Sequence, residues 1–179
     1  MTNSLRQSGF TLVELMVTLG IAALLLSAAV PSFTNVIKDN RMVTETNRLL
    51  TSLANARVEA VKRGRPVTVC ARDGGVVTDG DACTGPWTNG FVLFVDTNAN
   101  GAYDGPDGLI KFGEPADPPV AISSPAGTRL SFASSGLVPG LVADQALTLC
   151  DDRGAAKGKR ITISAIGRPY LLPTAPAGC

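Results

Sequence analysis

Ser8-Gly-Phe-Thr-Leu-Val-Glu-Leu-Met-Val-Thr-Leu-Gly-Ile-Ala-Ala-Leu-Leu-Leu-Ser-Ala-Ala-Val-Pro-Ser-Phe33 is the stretch on which the rest of the chain depends. From Leu15 to Val30 it carries no charge, and Leu, Ile, Val and Ala dominate it. Glu14 stands alone just inside the apolar run. An acidic side chain in a bilayer costs about 2.5–3.5 kcal/mol at the centre and less near the ends, so Glu14 calls for a partner. Cutting the chain after Gly9 supplies one, because Phe10 then carries a free α-amine on the same helix end. Amine and carboxylate can pair within one chain or between neighbours. An ordinary secretory signal peptide would share Arg6, the apolar core and a small-residue site at Ser27-Ala28-Ala29. A simple membrane anchor would share the run length. Neither uses Glu14.

Gly9-Phe10-Thr11-Leu12-Val13-Glu14, with the apolar run and Pro31, resembles the type III signal of type IV pilins and pseudopilins. The resemblance implies that a prepilin peptidase removes residues 1–9 and that the new N-terminus at Phe10 is methylated. It makes Glu14 the assembly contact, pairing across subunits, and makes other pilin subunits the partners of the N-terminal helix. It also implies a single pass of the inner membrane with a periplasmic C-terminal domain, later assembled into a pilus or pseudopilus. Lipid is then a storage solvent for a surface that packs on other helices in the filament.

Composition narrows the chemistry. The 179 residues suit one membrane-proximal helix and one small domain. There are 16 basic and 15 acidic residues, and loss of Met1–Gly9 removes Arg6 alone, so net charge points to no partner. Four cysteines beside an export signal imply an oxidising compartment and disulfides. The absence of histidine removes the usual general base and zinc ligand. No phosphate loop, paired carboxylates or activated serine can be argued either, so no enzyme activity is expected.

Pro31 is expected to kink the helix without ending it, because helical periodicity resumes beyond it. Val43, Asn47, Leu50, Ala54, Val58 and Val61 recur at three- and four-residue steps, with Leu49 and Leu53 widening the stripe and Asn47 its one polar member. Gly64 and Pro66 supply the stop. The reading is one helix of about fifty residues, roughly 75 Å long. Residues 10–33 form the membrane or filament-core half and 34–65 the amphipathic half. Residues 66–179 form a disulfide-stapled β domain.

In that domain 67–71 and 91–95 read as buried strands, and 109–112, 128–132, 147–150 and 160–166 as shorter ones. The expected fold class is α+β and pilin-like, with a long helix against a small antiparallel sheet. Val67–Cys70, Trp87…Gly90-Phe-Val-Leu-Phe-Val-Asp96, and Cys150-Asp-Asp-Arg-Gly154…Arg160-Ile-Thr-Ile-Ser164…Gly167-Arg168 are similar to the FimT/GspH branch of the family.

Of three possible disulfide pairings, Cys70–Cys83 and Cys150–Cys179 are favoured. The first closes a Gly/Asp-rich loop and the second pins the C-terminus. A bridge around ~15 residues is worth roughly 3 kcal/mol in the chain-entropy model. Asp96, Asn98, Asn100, Asp104 and Asp107 fall near the ligand positions of a calcium loop around Gly101, though residue twelve is Asp and a strand precedes the loop. A hairpin connection with Asn-Gly and Asp-Gly turns is the competing reading.

Charge is segregated. Asp73, Asp79, Asp81, Asp96, Asp104, Asp107, Glu114 and Asp117 face only Lys111 in their segment. Arg153, Lys157, Lys159, Arg160 and Arg168 occupy a tail with no acid. Such a strip is a footprint for phosphates. The resemblance adds that FimT-type pilins of natural transformation systems receive DNA through a C-terminal Gly-Arg-x-Arg motif. Here it reads Gly167-Arg168-Pro169-Tyr170, with tyrosine in place of the second arginine. Tyr170 offers stacking without charge. The functional expectation is a minor pilin of a type IV pilus, with DNA as a candidate non-sequence-specific ligand of the tail. The alternative is a GspH-type pseudopilin of a type II secretion system that binds no DNA.

Overall fold

The computed structural model describes residues 9–74, 83–105, 107–125, 127–141 and 143–179. Residues 1–8 of the expected leader 1–9, and positions Gly75, Asp79, Gly80, Asp81 and Pro106, lie outside them. Two compact units are present, one ending at Lys38 and the other spanning Asp39–Cys179.

A single helix, α1, is assigned over Leu12–Arg63 without interruption at position 31. Thr11 caps it: the Glu14 backbone N–H donates to Thr11 Oγ1 at 3.2 Å, and Leu15 N–H to the Thr11 carbonyl at 3.2 Å. A Thr followed three residues on by Glu is a capping-box pattern, and the acid also suits the positive end of the helix. Inside the apolar run the Thr18 and Ser27 hydroxyls donate to the carbonyls of Leu15 and Leu24. They carry no unsatisfied donor into an apolar setting. Gly64, at φ +64°, takes the left-handed conformation that ends the helix.

In the second unit the helix face that meets the sheets is Met42, Leu49, Leu53, Ala56 and Ala60. Leu49 and Leu53 belong to the stripe as expected, and the rest of the sequence reading is corrected. Val43, Asn47, Val58 and Val61 are exposed, and Leu50 and Ala54 are half-buried. The true core stripe is displaced by one residue, about 100° around the axis. The larger side chains Met42, Leu49 and Leu53 reach into the core, and Ala56 and Ala60 let the end of the helix lie close over the sheets. Polar residues on the packed side are bonded locally. Thr46 and Ser52 hydroxyls donate to the Met42 and Arg48 carbonyls, and Glu45 pairs with Arg48 at 2.6 Å.

The β domain holds two antiparallel four-stranded sheets among the described residues. The first runs β3-β2-β1-β5, from β1 (Val67–Ala71), β2 (Phe91–Val95), β3 (Gly108–Gly113) and β5 (Arg129–Phe132). The second runs β4-β6-β7-β8, from β4 (Ala121–Ser123), β6 (Gln145–Cys150), β7 (Lys159–Ile163) and β8 (Pro169–Leu172). The single small sheet expected from the sequence is therefore two. The strands it missed are β4, three residues long, and β8, which opens on proline. Both are edges, where short and proline-bearing strands are tolerated and where sequence periodicity is weakest.

One core joins helix and both sheets: Phe91, Leu93, Leu130 and Phe132 meet Leu147, Leu149, Ile161 and Ile163 beneath the helix. A smaller cluster of Cys70, Cys83, Val92 and Phe94, with Tyr103 against it, covers the other face of β1 and β2. Burial on both faces explains why these two strands read as unbroken apolar runs.

Candidate functional site

Three places carry the residues singled out in the sequence. At the N-terminal end, Gly9, Phe10 and Glu14 are exposed, and Thr11 fixes where the helix begins. By length and composition α1 is apolar enough to cross a membrane.

The acidic loop is wired to itself. Asp96 is fully buried and accepts from the N–H groups of Asn100 at 3.1 Å and Gly101 at 2.9 Å, and from Thr68 Oγ1 at 3.0 Å. Asp104 Oδ2 accepts from the side-chain amides of Asn98 at 3.0 Å and Asn100 at 2.7 Å. Asp107 accepts from Thr97 N–H at 2.7 Å and Asp104 N–H at 3.2 Å. Gly101 adopts φ +75°, and a Cβ there would strike the Arg129 guanidinium at 2.9 Å. The calcium-like spacing thus places most of its oxygen atoms on donors that define a turn, while Asp104 Oδ1 is buried without a hydrogen-bond partner. Among the described residues no group of three or more His, Cys, Asp or Glu is arranged to hold a metal.

The basic tail does not form one strip, which corrects the sequence reading. Arg153 is turned inward, with Nη1 on Asp39 of α1 and Nη2 on Asp151, both at 2.7 Å. Its pKa is raised above the ordinary guanidinium value, chiefly by the Asp151 hydrogen bond. Arg160 is half-buried beside Leu141, Asp144 and Ala146. Thr162, two residues on and on the same side of β7 as Arg160, is 4 % exposed. Lys157 and Arg168 are exposed and Lys159, like Arg160, is half-buried; Lys157, Lys159 and Arg168 separate into two groups. Lys157 and Lys159 lie beside the helix residues Asp39 and Val43. Arg168 sits across the β7–β8 turn, where its N–H donates to Ser164 Oγ at 3.2 Å. Five strand residues part the groups, roughly 17 Å. The Tyr170 hydroxyl donates to Asp144 Oδ2 at 2.9 Å, which raises its pKa.

Both disulfides have the pairing favoured above, Cys70–Cys83 and Cys150–Cys179. The second holds the C-terminus against β6, where Gly158 leaves room for Cys179 Sγ. Sequence reasoning overlooked Thr11, Asp39, Asp144 and Asp151. Thr11 was legible as a cap three residues before Glu14, and Asp151 lies just before the tail in which acids were counted. Asp39 and Asp144 come from distant positions, and only the fold brings them in.

A family model described as Type II transport protein GspH matches residues 45–167. The chain belongs to the GspH family. A second model, the prokaryotic N-terminal methylation motif, matches residues 4–30. The family is one of structural pilin and pseudopilin subunits, and pilin-type proteins assemble with other pilin subunits. The pilin-like protein PilA1 of Thermus thermophilus is 36% identical over 98 residues, which are 54% of this chain and 53% of that protein. The chain thus spans about half the length of this curated relative. Among solved structures, the type IV minor pilin FimU of Pseudomonas aeruginosa matches with a TM-score of 0.63 at 20% identity, over 79% of this chain and 97% of FimU. The minor pseudopilin EpsH of the Vibrio cholerae type 2 secretion system matches at 0.50 and 16% identity, over 76% of this chain and 98% of EpsH. At these identities the two share a fold with this GspH-family chain, a long helix packed on antiparallel sheets.

Proposed function

We propose that the chain is a minor pilin, held in the inner membrane by its N-terminal helix with the β domain in the periplasm until it joins a type IV pilus. The carrying observation is a helix N-terminus with a free-standing Glu14 five residues after Gly9, ahead of an uncharged apolar run. A prepilin peptidase cuts after Gly9, Phe10 is methylated, and the amine so created meets Glu14 of a neighbouring subunit. The PilA1 likeness favours a pilus over a secretion pseudopilus. The GspH-type pseudopilin remains the second reading, supported by the family match over residues 45–167.

Mass spectrometry of the mature chain tests the processing step, with an N-methylated Phe10 expected. A mature N-terminus near Ala29 overturns it. Glu14→Ala is expected to insert in the membrane normally and to be lost from filaments. Deleting the type IV pilus assembly machinery is expected to remove the chain from the cell surface, and deleting type II secretion is not. The opposite result selects the pseudopilin. A DNA-receptor role rests on Lys157, Lys159 and Arg168, and predicts weak, salt-sensitive, sequence-indifferent binding.

A further inference from the structure

Each of the two sheets has two edge strands, and an edge leaves a row of backbone N–H and C=O groups without partners unless something closes it. Three of these edges are guarded by their own residues. β3 has a register shift against β2 and carries Lys111. At β4 the Thr88 hydroxyl accepts from Ile122 N–H at 2.8 Å and donates to the Ile122 carbonyl at 3.2 Å. β8 opens on Pro169 and is followed by Pro173. β5 has none of these devices. Its register on β1 is unbroken, it holds no proline or lysine, and its one cation, Arg129, is turned to the carbonyls of Asn100 and Gly101.

The direction of each backbone group on β5 follows from the pairing. Ala71 N–H donates to the Thr128 carbonyl at 2.7 Å, so Thr128, Leu130 and Phe132 spend their backbone groups on β1, opposite Ala71, Val69 and Val67. Bonds from Arg72 N–H to the Gly90 carbonyl and from Asp96 N–H to the Pro66 carbonyl agree, turning the even residues of β1 to β2. Arg129 and Ser131 therefore point N–H and C=O away from β1, and among the described residues nothing bonds to these backbone groups. β5 runs along a cavity of about 410 Å³, which Val138, Pro139 and Gln145 also line. Gln145 begins β6, and β4 covers only Thr148, Leu149 and Cys150 of that strand, so the first half of β6 lacks a strand on that side too. Gln145 Oε1 is buried without a hydrogen-bond partner.

We infer that β5 takes an extended segment of a second protein as an added strand in this groove. Backbone donors and acceptors recurring every second residue along an edge are complementary to another extended backbone and to no compact ligand. The segment carries an acidic residue where it passes Arg129. That guanidinium has only the two carbonyls, at 3.4 and 3.5 Å, and no carboxylate among the described residues. The inference uses no step of the filament reading and holds for a pilus or a pseudopilus alike.

The test uses the full-length chain in detergent. The probes are capped peptides of about six residues, the usual strand length, alternating valine and threonine with one glutamate walked along them. Amide hydrogen exchange at Arg129 and Ser131 is expected to slow about tenfold with peptide at about ten times its Kd. Exchange at Leu130, already on the β1 ladder, is expected to stay as it is. N-methylating one alternate set of peptide residues is expected to abolish binding, and methylating the other set to spare it, because only one row of N–H groups faces β5. Arg129→Pro deletes an N–H that faces the groove and spares every bond to β1, a place where an edge strand tolerates proline. It is expected to bind at least about tenfold more weakly than Arg129→Ala, the worth of one well-made contact, whereas Arg129→Ala loses only the preference for glutamate. If Arg129→Pro proves unstable, exchange and the methylated peptides decide on the wild-type chain. Unchanged exchange at Arg129 and Ser131 with the peptides in the millimolar range, equal binding by both methylated sets, or protection confined to α1 or β3 overturns the added strand.

Discussion

The loop Asp96–Asp107 and the tail Arg153–Arg168 are of opposite charge, and each reads in sequence as a site for a ligand of the other sign. The fold treats them unequally. In the loop the carboxylates of Asp96, Asp104 and Asp107 are occupied by N–H and O–H donors of the loop and of Thr68. In the tail one cation of five, Arg153, is drawn inside by Asp39 and Asp151, and Lys157, Lys159 and Arg168 remain at least partly outward in two separate groups. The difference follows from reach. A carboxylate beside a tight turn meets backbone donors two to five residues away at no cost in long-range order. A lysine or arginine on a strand points its long side chain away from its own backbone and needs an acceptor from elsewhere. Arg153, in the turn after β6, has both a local acceptor, Asp151, and a distant one, Asp39 on α1.

The comparison breaks most visibly at Asp96. Asp96→Ala strips Gly101 N–H of its acceptor and leaves Thr68 Oγ1 and Asn100 N–H with only Ser131 Oγ and Asn98 Oδ1, and about 4 kcal/mol of stability is expected to go, at 1.5–3 kcal/mol per charge-assisted bond with partial relaxation. Urea melts of the detergent-solubilised full-length chain measure it. If the loop is a turn first, the loss is the same in millimolar calcium and in chelator. A melt that calcium raises in the wild type and leaves unmoved in Asp96→Ala would instead reinstate the metal reading, since bound ligand stabilises the folded state by mass action.

Arg153 is the tail's counterpart, and a smaller effect is expected. Arg153→Ala strips the Asp151 carboxylate of its cation and releases Asp39 on α1, at about 3 kcal/mol for an ion pair largely removed from solvent. A double-mutant cycle with Asp151→Asn isolates the pair, and a coupling above about 1 kcal/mol is expected. A coupling near zero would mean that Arg153 is as open to solvent as Lys157.

The outward cations set a ceiling on DNA binding. With Lys157, Lys159 and Arg168 available, the log–log salt slope on duplex DNA should be no steeper than about −2.7, at 0.9 per phosphate neutralised. A salt-dependent gel shift of the full-length chain gives the slope. Each single alanine variant of the three should flatten it by about 0.9, and Arg153→Ala should not change it. A slope that flattens in Arg153→Ala would show that this arginine meets phosphate and is not held inside.

What the sequence disclosed tracks how local each feature is. The long helix, its stop at Gly64 and the strands β1 and β2 were readable because cap, periodicity and apolar run lie within the segment that they specify. Both cysteine pairs were chosen correctly on loop closure alone. The helix face was misassigned because residues 42–61 contain two apolar stripes, and only the sheets choose between them. The paired acids of the tail were missed for a related reason. Asp39 lies 114 residues before Arg153, and no spacing rule connects them.

The smallest effect expected concerns Tyr170, the residue that stands where the resemblance anticipates an arginine. Its hydroxyl donates to Asp144, and ionising it would set a phenolate against a carboxylate, so its pKa is held above the ordinary tyrosine value with that hydrogen bond as the main cause. A group whose folded-state pKa is raised lends stability below its unfolded value, about 10 for tyrosine, and withdraws it as pH climbs through the folded value. At neutral pH the contact is therefore intact, and the ring is tethered to an acid that phosphates would avoid. Alkaline titration of the phenolate absorbance, in a Tyr103→Phe background that leaves one tyrosine, should show late ionisation. Asp144→Asn should bring it back toward the ordinary value. The same substitution removes a negative charge beside Arg160 and Tyr170, so it should also tighten DNA binding modestly. An unchanged titration in Asp144→Asn would show that the two side chains do not share the proton. Tyr170 would then be free to stack on a base, and the tail would be more open than its hydrogen bonds make it.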